Sequence, residues 1–257
     1  MASSSESLDI ITLYQDPLSQ PCRAVQLFLG INGIDYDTKE VALSEGSKEA
    51  EEFVRINPFK KVPVILHKGH YIKEGIAILR YLCREFNVED HWYPNDSLKR
   101  ARVDEYLEWH HLETRAKSVI YIFSAAYKPT EEPRLEQCRS KLDRSCDLID
   151  KIWLQDHNYI AGEEISIADI VAATELEQLA MTDYDPRKGR PRLEAWMVRV
   201  RQETNPLYDV VHNYLKEFCA ARAKSLSTTS FNTKLYTKYH MHEKHRNLTE
   251  PGGRMQM

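Results

Sequence analysis

The chain has few of the residues that build disulfide or zinc frameworks. Only five of its 257 residues are cysteine, an odd number, and no two of them form a C-x-x-C pair. This spacing argues against a disulfide scaffold and a cysteine-based zinc site, so reduced thiols are expected. Three histidines near the C-terminus could in principle hold a metal, but histidines in a polar tail usually have no specific role, and no metal is predicted: His240, His242 and His245.

The chain also lacks long apolar runs and an excess of basic residues. No stretch approaches the ~18 consecutive apolar residues typical of a membrane span. The formal net charge of −4 gives no basic surface of the kind that binds nucleic acid. The first nine residues, M-A-S-S-S-E-S-L-D, have neither the basic start nor the apolar core of a signal peptide. We therefore expect a cytoplasmic protein with neither nucleic acid nor membrane as a partner.

Glycine and proline are scarce, since together they account for 20 residues, and this composition favours helix. Apolar spacing in the first third nevertheless alternates between strand and helix periods. The predicted order is βαβαββα, with strands at 8–14, 36–43, 61–66 and 71–72 and helices at 21–32, 48–55 and from 74 onward. The helix between the first two strands predicts a parallel crossover in a small mixed sheet.

After a polar linker, only helical periodicity remains. Helices are predicted at 98–127, 133–156, 166–181, 191–202 and 206–221. The third begins at a capping box, Ser166 with Asp169, and Ile165 can pack on Ile170 as a hydrophobic staple. The predicted organisation is a disordered N-terminus at 1–7, a mixed domain at 8–86, a linker at 87–97, an all-helical domain at 98–221 and a partly mobile extension at 222–257.

The turn between the first strand and the first helix is the main candidate site. It carries Ser19 at the carboxyl end of the strand, just before a helix N-terminus, where unpaired N–H groups favour a bound anion. A hydroxyl at this position can donate a hydrogen bond to a thiolate or oxyanion. The same strand, turn and helix are also compatible with plain packing.

Several strings in the same order resemble the cytosolic glutathione transferases, and the theta class in particular. They are S-Q-P-C-R-A-V at 19–25, Glu52-Phe53, Asn57, H-W-Y-P at 91–94 and A-R-V-D-E-Y-L-E-W-H at 101–110. The resemblance spans about residues 8 to 220. It implies a thioredoxin-like α+β domain with a mixed four-stranded sheet, an all-α domain that carries the acceptor site, and a two-fold homodimer.

The resemblance also implies roles for two catalytic residues. In theta enzymes the serine of this string activates the glutathione thiol, and here that residue is Ser19. Arg115 matches an arginine that some theta enzymes place near the thiol or the leaving group, where a cation favours a thiolate and a departing anion. Equally, Arg115 could be a surface residue paired with Glu113 or another neighbour.

Glutathione contacts are implied for residues on the same rim. The backbone of Val62, held by a cis Pro63, would meet the cysteinyl unit of the tripeptide. Lys61 matches a lysine that meets the glycine carboxylate. Glu74 matches an acid that holds the γ-glutamyl ammonium, although a Glu before a helix is also a common charge at a helix start.

Two positions depart from the theta pattern. Gly75 stands where the family has a serine that helps to hold the γ-glutamyl carboxylate, so only a backbone N–H remains. Lys48 stands where theta proteins commonly carry a histidine, and it can meet a carboxylate only as a flexible point charge. One lost hydrogen bond to a charged group costs ~1.5–3 kcal/mol, so glutathione is expected to bind weakly.

The resemblance therefore predicts a glutathione transferase that conjugates a serine-stabilised thiolate to small hydrophobic electrophiles such as alkyl halides, epoxides or sulfate esters. The alternative is a catalytically weak ligand carrier on the same fold, because fold does not fix function. A third hypothesis gives Cys22 thiol chemistry. It is disfavoured because a cysteine one turn into a helix is usually a small packed residue.

Overall fold

The computed structural model describes residues 10–41, 48–127 and 130–227. Its N-terminal part is a four-stranded mixed sheet with the strand order β2-β1-β3-β4. The strands are β1 (Ile11–Gln15), β2 (Tyr36–Glu40), β3 (Val64–His67) and β4 (His70–Lys73). β1 runs parallel to β2 and antiparallel to β3, and β3 pairs with β4 in a hairpin. This is the predicted mixed sheet, with Leu13 opposite both Thr38 and Ile65.

Three helices belong to this part: α1 (Gln20–Ile31), α2 (Lys48–Ile56) and α3 (Gly75–Glu85). α1 begins with a proline in its first turn and buries one apolar face that includes Val25, Phe28 and Leu29. It ends at Ile31, with Asn32 as its C-cap, because Gly33 adopts a positive φ of 60°, which glycine reaches without strain. α1 contacts α3 and also two helices of the second part, α7 (Ile167–Glu177) and α9 (Leu207–Ser227).

The second part contains only helices within the described residues. Its α-helices are α4 (Ser97–His110), α5 (Ala116–Ile122), α6 (Glu132–Leu148), α7 (Ile167–Glu177), α8 (Pro191–Thr204) and α9 (Leu207–Ser227). π-helical turns at His111–Arg115, Phe123–Tyr127 and Ile149–Trp153 extend three of them. α4 and α5, with their π turns, therefore form the continuous helix that the periodicity predicts from 98 to 127.

Specific caps define where these helices begin. Asp96 accepts hydrogen bonds from the N–H groups of Leu98 and Lys99 at the start of α4. The predicted capping box at α7 is confirmed, because Ser166 and Asp169 bond reciprocally to each other's backbone. A short 3₁₀ turn, Asp90–Trp92, anchors the connecting segment, since Trp92 is buried edge-on against Phe28.

Several element ends differ from the sequence prediction. β3 begins at Val64 rather than at residue 61, because Asn57 holds the Lys61 carbonyl at 2.7 Å and Pro63 has no N–H to donate to a ladder. β2 ends at Glu40 rather than 43, and residues 42–47 lie outside the described part. α9 continues to Ser227, six residues past the predicted end. Residues 1–9 and 228–257, and with them most of the two predicted mobile ends and the tail histidines, lie outside the described part.

Candidate active site at the first helix N-terminus

A cleft of about 180 Å³ lies between the sheet-containing part and the helical part. One wall is formed by the first turn of α1, the loop before β3 and the start of α3. The other wall is formed by the end of α4, its π turn and α7. Two helix N-termini, those of α1 and α3, thus border one cleft, and both present partial positive charge.

The loop from 57 to 63 owes its shape to Asn57, which is only 2% exposed. Its amide donates to the Lys61 carbonyl at 2.7 Å and accepts from the Phe59 N–H at 3.2 Å. The loop then reaches a cis peptide bond between Val62 and Pro63, as the resemblance implies. Lys61, Val62 and Pro63 all line the cleft, with Lys61 exposed.

At the start of α3, Glu74 and Gly75 also line the cleft. Glu74 is exposed and has a positive φ of 68°. Gly75 lies very close to α1: a Cβ atom placed on it would be 3.0 Å from Cβ of Pro21 and 3.7 Å from Cγ of Pro63. Contacts of 3.0 Å are tighter than almost any found for real Cβ atoms, so a larger residue at 75 requires a neighbour to move.

Ser19 precedes α1 as its N-cap residue and is half-buried. Its N–H donates to the Asp16 carbonyl at 2.9 Å, which closes the turn after β1. The hydroxyl lies within hydrogen-bonding reach of the Cys22 thiol and is not part of the cleft wall. The next two residues, Gln20 and Pro21, do line the cleft.

Cys22 is fully buried beneath this turn. Burial raises the pKa of its thiol to about 12, so the thiolate is absent near neutral pH. The geometry therefore disfavours Cys22 as a nucleophile.

Arg23, also fully buried, fixes the turn from below. Its guanidinium donates to the carbonyls of Leu18 (2.9 Å) and Pro17 (3.2 Å), just before Ser19, and to the side chain of Gln178 after α7. Burial lowers its pKa to about 10, so it stays cationic at neutral pH. The buried guanidinium of Arg23 therefore connects the turn before α1 to the helical part of the molecule by hydrogen bonds.

The helical wall is polar around Glu175, a carboxylate of α7 that is 1% exposed. Its Oε2 accepts from Nη1 of Arg115 at 3.0 Å, and its Oε1 accepts from Ser118 and, at 3.2 Å, from Gln20. Arg115 thus forms its ion pair with Glu175 on α7 and not with Glu113, which pairs with Lys117. The Arg115 side chain is one-third exposed and lines the cleft.

His110 is the other buried titratable group of this wall. Its Nε2 lies 4.0 Å from Oε2 of Glu175, and its Nδ1 has no partner among the described residues. Burial, with Arg115 and His111 nearby, lowers the pKa of His110 to about 3. The imidazole is therefore neutral at physiological pH.

This depressed pKa predicts an acid-labile fold. Below pH ~6.5 the imidazole of His110 is protonated in the unfolded chain but stays neutral in the folded protein, so the free energy of unfolding falls as the pH falls through that value. Between pH 7 and pH 5 this difference should lower the free energy of unfolding by about 2 kcal/mol. Urea denaturation at the two pH values measures the loss. His110→Gln should reduce it, whereas the exposed His70→Gln should not, and equal losses in both variants would contradict the assignment.

Of the predicted site residues, six line the cleft: Lys61, Val62, Pro63, Glu74, Gly75 and Arg115. Ser19 borders it without lining it, and the side chain of Lys48, at the start of α2, lies outside the described part. Sequence reasoning missed Gln20, His110, His111 and Glu175 as cleft residues and did not foresee the organising role of Asn57.

Among the described residues, no cluster of three or more histidine, cysteine, aspartate or glutamate side chains could hold a metal ion. No helix in the described ranges has the length and hydropathy of a membrane span.

Known family models cover most of the chain. The model described as the glutathione S-transferase N-terminal domain matches residues 11–84, and the one described as the C-terminal domain matches residues 111–203. The chain belongs to the glutathione S-transferase family. It is a glutathione transferase of theta type, with the thioredoxin-like domain and the all-helical domain of that family.

Theta-class relatives are identical to this transferase at more than a third of the aligned residues. Mouse glutathione S-transferase theta-1 is 38% identical over 199 residues, which cover 74% of this chain and 82% of that protein. Human theta-1 is 37% identical over 196 residues, with the same two coverages. A human theta-class structure in complex with the glutathione conjugate of 1-menaphthyl sulfate has a TM-score of 0.78 and 32% identity, and covers 89% of this chain and 96% of that one.

Proposed function

We propose that the cleft binds glutathione along the rim formed by the 57–63 loop and the start of α3. The ammonium of Lys61 would meet the glycine carboxylate, and the backbone of Val62 would pair with the cysteinyl unit. Glu74 would hold the γ-glutamyl ammonium, and the N–H groups at the start of α3 its carboxylate. Lys48 is a further candidate for a glutathione carboxylate. The support is that Lys61 and Glu74, which line the same wall of the cleft, are opposite in charge to the groups of the tripeptide that they would bind.

Ser19 is proposed to stabilise the glutathione thiolate. A free thiol has a pKa of ~8.5, and lowering it by two units requires about 2.7 kcal/mol. A hydroxyl that donates to a charged sulfur contributes ~1.5–3 kcal/mol, and the N-terminus of α1 adds to this. The proposal requires the Ser19 hydroxyl to turn from Cys22 towards the cleft by rotation about the Cα–Cβ bond.

The proposed reaction is nucleophilic substitution or ring opening at carbon. The thiolate sulfur forms a bond to the electrophilic carbon while the bond from that carbon to halide, sulfate or epoxide oxygen breaks, and the electron pair leaves with that group. Arg115, exposed to the cleft, would stabilise the departing anion. The conjugate of 1-menaphthyl sulfate in the human theta structure supports a sulfate ester as one acceptor class.

The single observation that carries the proposal is the meeting of two helix N-termini with the charged side chains of Lys61 and Glu74 at one cleft in a theta-type transferase. Isothermal titration with glutathione, followed by an assay with 1-menaphthyl sulfate, tests it. Glutathione should bind at millimolar concentration or below, and the conjugate should form. No binding at millimolar concentration would favour the second candidate, a ligand carrier, which the missing hydroxyl at Gly75 supports.

Gly75→Ser tests how the cleft holds the γ-glutamyl group. The added hydroxyl offers a hydrogen bond to a carboxylate, whereas the added Cβ meets the Pro21 ring at 3.0 Å. We expect Gly75→Ser alone to raise glutathione affinity by less than the roughly tenfold or more that one such bond gives. The larger gain is expected when Pro21→Gly also removes the Cβ atom that the serine would meet. Titration of the four proteins measures this coupling. An equal gain in both backgrounds would show that the proline does not limit the site.

A two-fold homodimer in the cytoplasm is the proposed setting for this activity. The dimer is proposed from the family resemblance, and sedimentation velocity would measure it. The location is supported by the five cysteines, all of them free thiols, which suit a reducing compartment.

A further inference from the structure

Glu175 is a carboxylate buried at the junction of the two parts of the molecule. It lies on α7, yet its Oε1 accepts from Gln20 on α1, 155 residues away in sequence. The same oxygen accepts from Ser118 on α5, and the other oxygen accepts from Arg115 in the π turn after α4. Three other elements, α1, α5 and the π turn after α4, therefore converge on one side chain.

A buried carboxylate is costly unless charges and donors compensate it. Glu175 has both, because Arg23 of α1 interacts with it electrostatically and Arg115 donates a hydrogen bond to it directly. Of the two arginines, only Arg115 reaches the cleft. Arg115 keeps N–H donors that Glu175 does not use, so the pairing leaves its guanidinium able to attract an anion in the cleft.

The geometry of Arg115 depends on this contact. A guanidinium has five N–H donors in a fixed plane, and the bond from Nη1 to Glu175 orients that plane while other donors can face the cleft. An arginine that is one-third exposed and unanchored would instead sample many rotamers. Ser118 and Gln20 hold the opposite oxygen, so the carboxylate itself is fixed.

We propose that Glu175 is a positioning residue, which orients Arg115 towards the leaving group of the acceptor while its other oxygen is fixed by Gln20 and Ser118. The inference rests on the proposed function, because it requires an anion to develop near Arg115. Glu175 touches neither glutathione nor the acceptor in this scheme and acts through Arg115 alone.

A double-mutant cycle with two acceptors tests the inference. The first acceptor is 1-menaphthyl sulfate, which releases an anion, and the second is a 1-menaphthyl dialkylsulfonium salt, which releases a neutral thioether when the thiolate displaces it. Arg115→Gln removes the cation and Glu175→Gln leaves one acceptor oxygen to share among three donors, so each should lower kcat with the sulfate about tenfold or more. The sulfonium reaction should not slow by more than about threefold, and the double variant should equal Arg115→Gln alone. Losses that multiply in the double variant, or equal losses with both acceptors, would overturn the proposal.

Two further variants keep the test decisive. Glu175→Asp retains the buried charge but withdraws the carboxylate by one methylene, so it should reproduce the pattern if the glutamine variant does not fold. Asp150→Asn removes a different buried acid, one that accepts from the N–H groups of Arg192 and Leu193 at the start of α8 away from the cleft. It should lower stability and leave the ratio of the two reactions unchanged. A changed ratio in Asp150→Asn would show that the ratio reports general destabilisation.

A binding measurement separates this inference from the proposed function. If the unsubstituted protein conjugates neither acceptor, the catalytic proposal fails, and glutathione sulfonate, which carries an anion at the sulfur position, serves as the probe. Its affinity should fall about tenfold in Glu175→Gln while that of S-methylglutathione changes less than about threefold. Equal changes for the two compounds, or no binding of either, would overturn the positioning role.

Discussion

Replacing Ser19 by alanine is expected to lower the rate of glutathione conjugation at neutral pH by about ten- to a hundredfold. The hydroxyl at the N-cap of α1 is the group proposed to donate a hydrogen bond to the glutathione sulfur. Without it, a smaller fraction of the bound thiol is ionised at pH 7, and the thiolate is the nucleophile. Steady-state rates with 1-menaphthyl sulfate at saturating glutathione measure the effect.

The pH dependence of the loss distinguishes this role from a structural one. As pH rises above the pKa of the bound thiol in the variant, the thiol ionises without help, so the deficit should shrink at high pH. Ser145→Ala is the matched control, since Ser145 is fully buried, its hydroxyl has no partner among the described residues, and it lies on α6. A pH-independent loss, or the same loss in Cys22→Ala, would contradict the assignment.

Asp169→Ala is expected to lower the free energy of unfolding by about 3–5 kcal/mol, the largest effect on stability expected here. Asp169 is completely buried at the start of α7. Its carboxylate accepts from the N–H of Ile160 (2.9 Å), from Trp196 Nε1 (2.8 Å) and from both the N–H and the hydroxyl of Ser166. Removing it leaves these buried donors unsatisfied and undoes the capping box.

Urea denaturation followed by tryptophan fluorescence measures this effect. Asp169→Asn keeps the shape but loses acceptor capacity, so it should lie between the alanine variant and the unsubstituted protein. The exposed Asp156→Ala should change stability by less than about 0.5 kcal/mol. A fall in Asp169→Ala no larger than that of Asp156→Ala would show that the capping box does not hold the helical domain together.

Local signals in the sequence were sufficient for much of the fold. The period-2 and period-3.6 patterns predicted the mixed four-stranded sheet and the helical second part, and the Ser166–Asp169 spacing predicted the start of α7. Each of these features depends on residues a few positions apart, which is why a single sequence reveals them.

The polar wall of the cleft could not be foreseen in this way. Glu175 looks like one more charged residue of a helix, and its burial arises only when α1 and α4 pack against α7. The even choice between a surface and a site role for Arg115 could not be resolved, because its partner is 60 residues away. The sequence also did not predict the direction of the Ser19 side chain, since that direction depends on the contact of its hydroxyl with the Cys22 thiol.

The central claim is that Ser19 stabilises a glutathione thiolate at the N-terminus of α1. The most direct measurement is a pH titration of thiolate absorbance for glutathione bound to the unsubstituted protein and to Ser19→Ala. In the unsubstituted protein the bound thiol should ionise about two pH units below the ~8.5 of a free thiol, and Ser19→Ala should raise that midpoint by one unit or more. Identical titration curves for the two proteins would contradict the claim.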